Sequence, residues 1–117
     1  MKQNIKTVLH TLGVSRSYQG YSYFIEAVRM AAEDPCRLTR IRKKIYQPIA
    51  LKNHTTIFNV EKNLRTVRDV IVRNHGQEIL IEWTGASFLK DTTPYPRELI
   101  ELFSENCSLS EETDDQL

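Results

Sequence analysis

The chain has 117 residues, 40% hydrophobic and 26% charged, with a formal net charge of +1. That length suits one domain around a single core, and the composition is globular rather than fibrous or low in complexity. No apolar run approaches the roughly 20 residues needed to cross a bilayer and MKQNIKTVLH lacks a signal peptide's apolar centre, so a cytoplasmic protein with no membrane partner is expected.

Ile5, Val8, Leu9 and Leu12 recur at helical spacing, and Gly13 follows as a stop, which predicts a first short helix. After a polar connector at Ser15–Ser17, the positions Tyr18, Tyr21, Phe24, Ile25, Val28 and Ala32 trace a second amphipathic helix ending before Pro35. Gly20 near its start costs about 1 kcal/mol relative to alanine, so a close approach of another helix or of a DNA backbone is expected there. Tyr18, Tyr21 and Tyr23 read as core and rim in preference to a base-stacking platform. Leu38, Ile41, Ile45 and Ile49 continue a helical phase that Pro48 interrupts. Either a helix ends near Tyr46 and another starts at Pro48, or one longer helix is kinked there.

Ile49 to Ile71 then reads as a helix-turn-helix. Ala50 is the small residue between the two helices, Asn53-His54-Thr55 forms the turn, and Thr55 or Thr56 is the N-cap of the second helix. Ile57, Val60, Leu64, Val67 and Ile71 draw one apolar stripe, while Phe58, Glu61, Lys62, Arg65, Thr66 and Asp69 fall on the opposite face. Asn74-His75-Gly76 stops this helix. The segment EILIEWT fits a helix or a strand, and helix is expected because a lone strand would have no partner. A loop from Gly85 leads to a last helix that starts at Pro96 and turns Leu99, Ile100 and Phe103 inward. The domain is expected to end at 107, with 108–117 an acidic disordered tail.

The small net charge hides a segregation. Residues 36–73 hold ten basic residues against two acidic ones, a local charge of +8, so the remainder carries −7. A basic block that coincides with a helix-turn-helix is what phosphate neutralisation requires, whereas a purely structural helix pair has no reason to gather cations. Cys36 and Cys107 are far apart without a CxxC or a histidine cluster, so two free thiols, no metal and no cofactor are expected. No nucleophile motif, phosphate loop or metal-protease helix occurs, and the chain reads as non-enzymatic.

The stretches LHTLGVS (9–15), GYSYFIEAV (20–28), IYQPIA (45–50), TT (55–56) and VEKNLR (60–65), in this order and spacing, resemble the C-terminal effector domain of the stage-zero sporulation regulators of endospore-forming Firmicutes. The resemblance implies an all-α fold of about six helices, an orthogonal winged-helix-like bundle without an evident wing. It also implies a transcription regulator of double-stranded promoter DNA, able to dimerise on DNA and to contact an RNA polymerase sigma factor. In that family a V-E-R-x-[IL]-R pattern reads bases. Here Glu61 and Arg65 match it, and Lys62 replaces an arginine, losing the planar fork that grips guanine O6 and N7 together. Thr56, Phe58, Asn59 and Thr66 complete the expected groove face, and Lys43, Lys44, Lys52, Thr55, Arg68 and Lys90 are expected at phosphates. The family's receiver domain has no counterpart in these residues, which reads as a stand-alone effector. The alternative is a protein-interaction module that modulates a related full-length regulator or a sigma factor without reading DNA.

Overall fold

A computed structural model of the chain describes residues 2–109. Among the described residues there are six α-helices: α1 (Ile5–Thr11), α2 (Gln19–Glu33), α3 (Gln47–Lys52), α4 (Ile57–Arg73), α5 (Gly76–Thr84) and α6 (Pro96–Asn106). Two 3-10 turns, at Pro35–Arg40 and Ser87–Leu89, and a π-helical stretch at Arg42–Tyr46 join them. The architecture is all-α, as the sequence predicts. Among the described residues the strands are β1 (Gln3–Asn4) and β2 (Cys107–Ser108), paired in parallel, so no wing hairpin follows α4.

α2 is the central element and packs on both α4 and α6. Its buried face carries Tyr23, Phe24, Ala27, Val28 and Ala31. Phe24 meets Phe103 of α6 edge to face at 5.0 Å between ring centroids, and Trp83 of α5 meets the same ring at 6.5 Å. These T-shaped contacts place ring edges on ring faces, the arrangement the aromatic quadrupole favours. Gly20 is buried against α4: a Cβ there would collide with the Asn63 carbonyl oxygen and lie 2.7 Å from Val67 Cγ2. The close approach expected at Gly20 is therefore to a helix, and burial excludes the DNA backbone from it. Tyr23 is buried and Tyr18 and Tyr21 are half-buried against the core, so they do not form a stacking platform.

Of the two readings at Pro48, the continuous helix is the one found. The backbone stays helical from Ile41 to Lys52, with the Gln47 amide donating to the Arg42 carbonyl one residue beyond the α pattern. Proline has no amide and its ring crowds the carbonyl four residues back, and the wider π turn just before it relieves both demands. The segment EILIEWT is helical within α5, with Leu80 fully buried. α6 starts at Pro96 as expected, and Leu102 joins Leu99, Ile100 and Phe103 in the core.

One boundary is corrected. Ser108, expected to open the tail, pairs with Asn4, and Leu109 packs half-buried on the core, because closing β1 against β2 uses backbone groups that no side-chain pattern reveals. The acidic remainder, 110–117, lies outside the described residues.

Candidate nucleic-acid interface

The helix-turn-helix is built by short-range hydrogen bonds. Ala50 is buried where α3 meets α4, and its carbonyl accepts from the Thr55 amide at 2.9 Å. His54 takes a left-handed conformation, φ 55°, which reverses the chain within the turn. Thr56 is the N-cap: its Oγ1 accepts from the Asn59 amide at 3.0 Å. Thr55 instead accepts from Asn59 Nδ2 at 2.9 Å, so the cap reading resolves to Thr56 and Thr55 tethers Asn59.

Along α4, Val60, Leu64, Val67, Val70 and Ile71 are buried, which presses the helix onto the core and fixes its rotation. The rotation leaves Phe58, Lys62, Arg65 and Asp69 exposed in one stripe with Thr66 beside it. Phe58 is 68% exposed, unusual for so large an apolar side chain. Lys62 and Arg65 make no side-chain hydrogen bond or ion pair among the described residues, and Thr66 Oγ1 donates to the Lys62 carbonyl at 3.2 Å.

Two of the expected groove-face residues are differently employed. Asn59 is half-buried, its amide donating to Thr55 while its carbonyl accepts from Asn63 Nδ2 at 2.8 Å. Glu61 is half-buried and accepts from Arg42 Nε at 2.8 Å, a partner no sequence pattern pointed to. Beside this pair lies an open groove of about 650 Å³ whose walls include Tyr46, Arg65, Arg68 and Tyr95. Burial pushes the Tyr46 phenol up to about 12, and Glu61 adds to the rise while Arg97 and Arg65 oppose it. Tyr46 thus stays neutral at physiological pH.

The expected phosphate ligands divide into free and engaged cations. Lys43 and Lys44 are exposed and, with Arg37 and Arg40, border a shallow groove beside Pro48. Lys52 pairs with Glu26 of α2 at 3.4 Å and remains exposed. Arg68 is largely covered: Nε meets Asp69 Oδ1 at 2.6 Å and Nη1 donates to the Pro94 carbonyl at 2.9 Å. Lys90 is exposed in the loop after α5, which Gln77 secures by donating to the carbonyls of Leu89 and Thr92. Arg37 and Arg40, which the charge count already contained, line the groove beside Pro48 without having been singled out, and neither was Arg42, whose partner lies 19 positions away.

Residues 5–107 match the family described as sporulation initiation factor Spo0A C terminal. The chain belongs to that family. Spo0A C-terminal domains are DNA-binding domains of a sporulation transcription factor and not an enzyme family, which agrees with the helix-turn-helix and the basic block. Among the described residues, no helix is long and apolar enough to cross a membrane, and no cluster of three histidine, cysteine or acidic side chains is placed to hold a metal. Both cysteines are free thiols, Cys36 exposed and Cys107 buried. Glu61, Lys62 and Arg65 lie along one side of α4, Lys62 and Arg65 exposed and Glu61 half-buried and turned toward Arg42.

Proposed function

We propose that this chain binds double-stranded DNA sequence-specifically and regulates transcription from a promoter element, with α4 as its recognition helix. The observation that supports this best is the exposed stripe of α4 behind a capped helix start, where Lys62 and Arg65 are cations with no partner among the described residues. Exposed, partnerless cations on a helix whose other face is fully buried suit a polyanion in the major groove.

Arg65 presents a planar fork to guanine O6 and N7, Lys62 offers a single charged donor point, and Glu61 accepts from a base amine. Phe58 and Thr66 flank them, within reach of a thymine methyl or a base edge, and Thr56 closes the helix start. Lys43, Lys44, Lys52 and Thr55 hold phosphates before and at the turn. Arg68 and Lys90 hold them beyond it, with Arg68 less available because Asp69 and Pro94 already occupy it. Dimerisation on DNA and contact with an RNA polymerase sigma factor belong to the same reading.

The test is selection from a random duplex pool, followed by fluorescence anisotropy of the selected and scrambled duplexes. A defined motif is expected, and Arg65→Ala is expected to cost about 1–3 kcal/mol and to relax preference at one base pair. An unchanged ratio of selected to scrambled binding in Arg65→Ala would remove Arg65 from the readers.

A second reading draws on Leu51 and Phe58, 69% and 68% exposed, on either side of the turn. Two bare apolar side chains suit a protein partner, so the domain would modulate a related regulator or a sigma factor without reading DNA. Absence of any shift with random duplex at about 50 mM salt would favour this reading.

A further inference from the structure

Arg42 lies at the start of the π-helical stretch, ahead of the helix-turn-helix, and reaches across to α4, where its Nε donates to Glu61 Oε2 at 2.8 Å. The Arg42 side chain is 65% exposed and that of Glu61 is 23% exposed, so the pair stands at the rim of the groove with the carboxylate on the inner side. No second hydrogen bond to the Glu61 carboxylate is made among the described residues, which leaves Oε1 as an open acceptor.

The physical difficulty at Glu61 is that a carboxylate beside a duplex is repelled by phosphates and has several rotamers to give up before it can accept from a base. A guanidinium bound to one oxygen answers both demands. It offsets the negative charge locally, and it fixes the rotamer in advance so that less ordering remains to be done on binding. The π turn contributes by changing the helical phase between Arg42 and the α3 residues that anchor the motif, Ile49 and Ala50.

We infer that Arg42 is a positioning residue for base recognition, holding Glu61 by Oε2 so that Oε1 meets the exocyclic amine of a base, cytosine N4 foremost. The inference rests on the reading of α4 as the recognition helix with Glu61 turned toward the bases. A pair this exposed adds little to folding stability, so discrimination between bases, not thermal stability, is the property it changes.

The experiment compares the unaltered chain, Arg42→Ala, Glu61→Ala and the double variant on the selected duplex and all its single-base variants, at two salt concentrations. Glu61→Ala loses preference at one base pair. Arg42→Ala loses preference at that same base pair, by roughly fivefold or more, and the double variant loses no more there than Glu61→Ala alone. Glu61→Ala also frees the Arg42 cation, so its binding to scrambled duplex rises and its salt slope steepens by about 0.9, a change the double variant lacks. Melting curves of all four proteins coincide, which shows that folding is not the cause.

Two results overturn the inference while leaving the recognition reading intact. In one, Arg42→Ala weakens every duplex by the same factor and flattens the salt slope, which makes Arg42 a plain phosphate contact. In the other, Arg42→Ala changes nothing while Glu61→Ala still loses its base pair. If Glu61→Ala keeps every preference, the reading beneath the inference fails and the inference falls with it.

Discussion

Replacing Gly20 by alanine sets two effects of opposite sign against each other. Alanine is the better helix former, and by propensity alone the change would stabilise α2 by up to about 1 kcal/mol. The packing says otherwise. The new methyl would meet the Asn63 carbonyl oxygen inside contact distance, with Val67 Cγ2 at 2.7 Å and the Asn63 carbonyl carbon at 3.0 Å. Two of those three atoms are α4 backbone, which cannot rotate aside as a side-chain tip can. The overpacking cost therefore falls at the upper end of about 1–3 kcal/mol, leaving a net destabilisation near 2 kcal/mol after the propensity gain. For a domain of this size that lowers the midpoint by about 8 °C in a thermal melt followed by circular dichroism. Because the atoms displaced belong to α4, DNA affinity should fall together with stability. A midpoint equal to or above that of the unaltered chain would refute the close packing of α2 on α4.

Thr56→Ala removes the N-cap of α4 and is expected to cost about 1 kcal/mol in denaturant unfolding, with Thr55→Ala costing less because Thr55 holds only the Asn59 side chain. Lys44→Ala should weaken binding to all duplexes alike and flatten the salt slope by about 0.9, as measured by anisotropy across a salt series. Arg68→Ala should act differently: the lost bond to the Pro94 carbonyl lowers stability by roughly 1 kcal/mol, and the salt slope changes less than for Lys44→Ala. Burial, partly opposed by Lys2, pushes the Cys107 thiol from 9.0 up to about 12, so iodoacetamide at pH 8 should label Cys36 and spare Cys107 in the folded protein. Cys107 and Tyr46 both keep their protons to higher pH when folded than when unfolded. Their contribution is present below about pH 9 and is lost as pH rises toward 12, which a series of unfolding curves at alkaline pH would record.

Much of the helix-turn-helix was legible because its determinants are local. The α4 stripe recurs at three and four residues, its cap and turn lie within four residues of its start, and Pro96 opens α6 from its own ring geometry. EILIEWT was ambiguous because four apolar residues in five suit either a helix or a strand, and packing of Leu80 into the core accompanies its helical form. The tail boundary was placed too early because the pairing of Ser108 with Asn4 joins the two ends of the fold through backbone groups.

The candidate site divides along the same line. By itself the sequence determined that α4 has one apolar and one polar face, with Glu61, Lys62 and Arg65 off the apolar stripe, and that cations gather around it. Those are properties of spacing and composition along one helix. Only the tertiary structure decided how these groups are employed: Lys62 and Arg65 stand unengaged among the described residues, Arg68 is held by Pro94, and Glu61 is held by Arg42. An ion pair or hydrogen bond forms at about 3 Å between atoms that the chain separates by 19 or 26 positions, and helical periodicity carries no record of what crosses that gap.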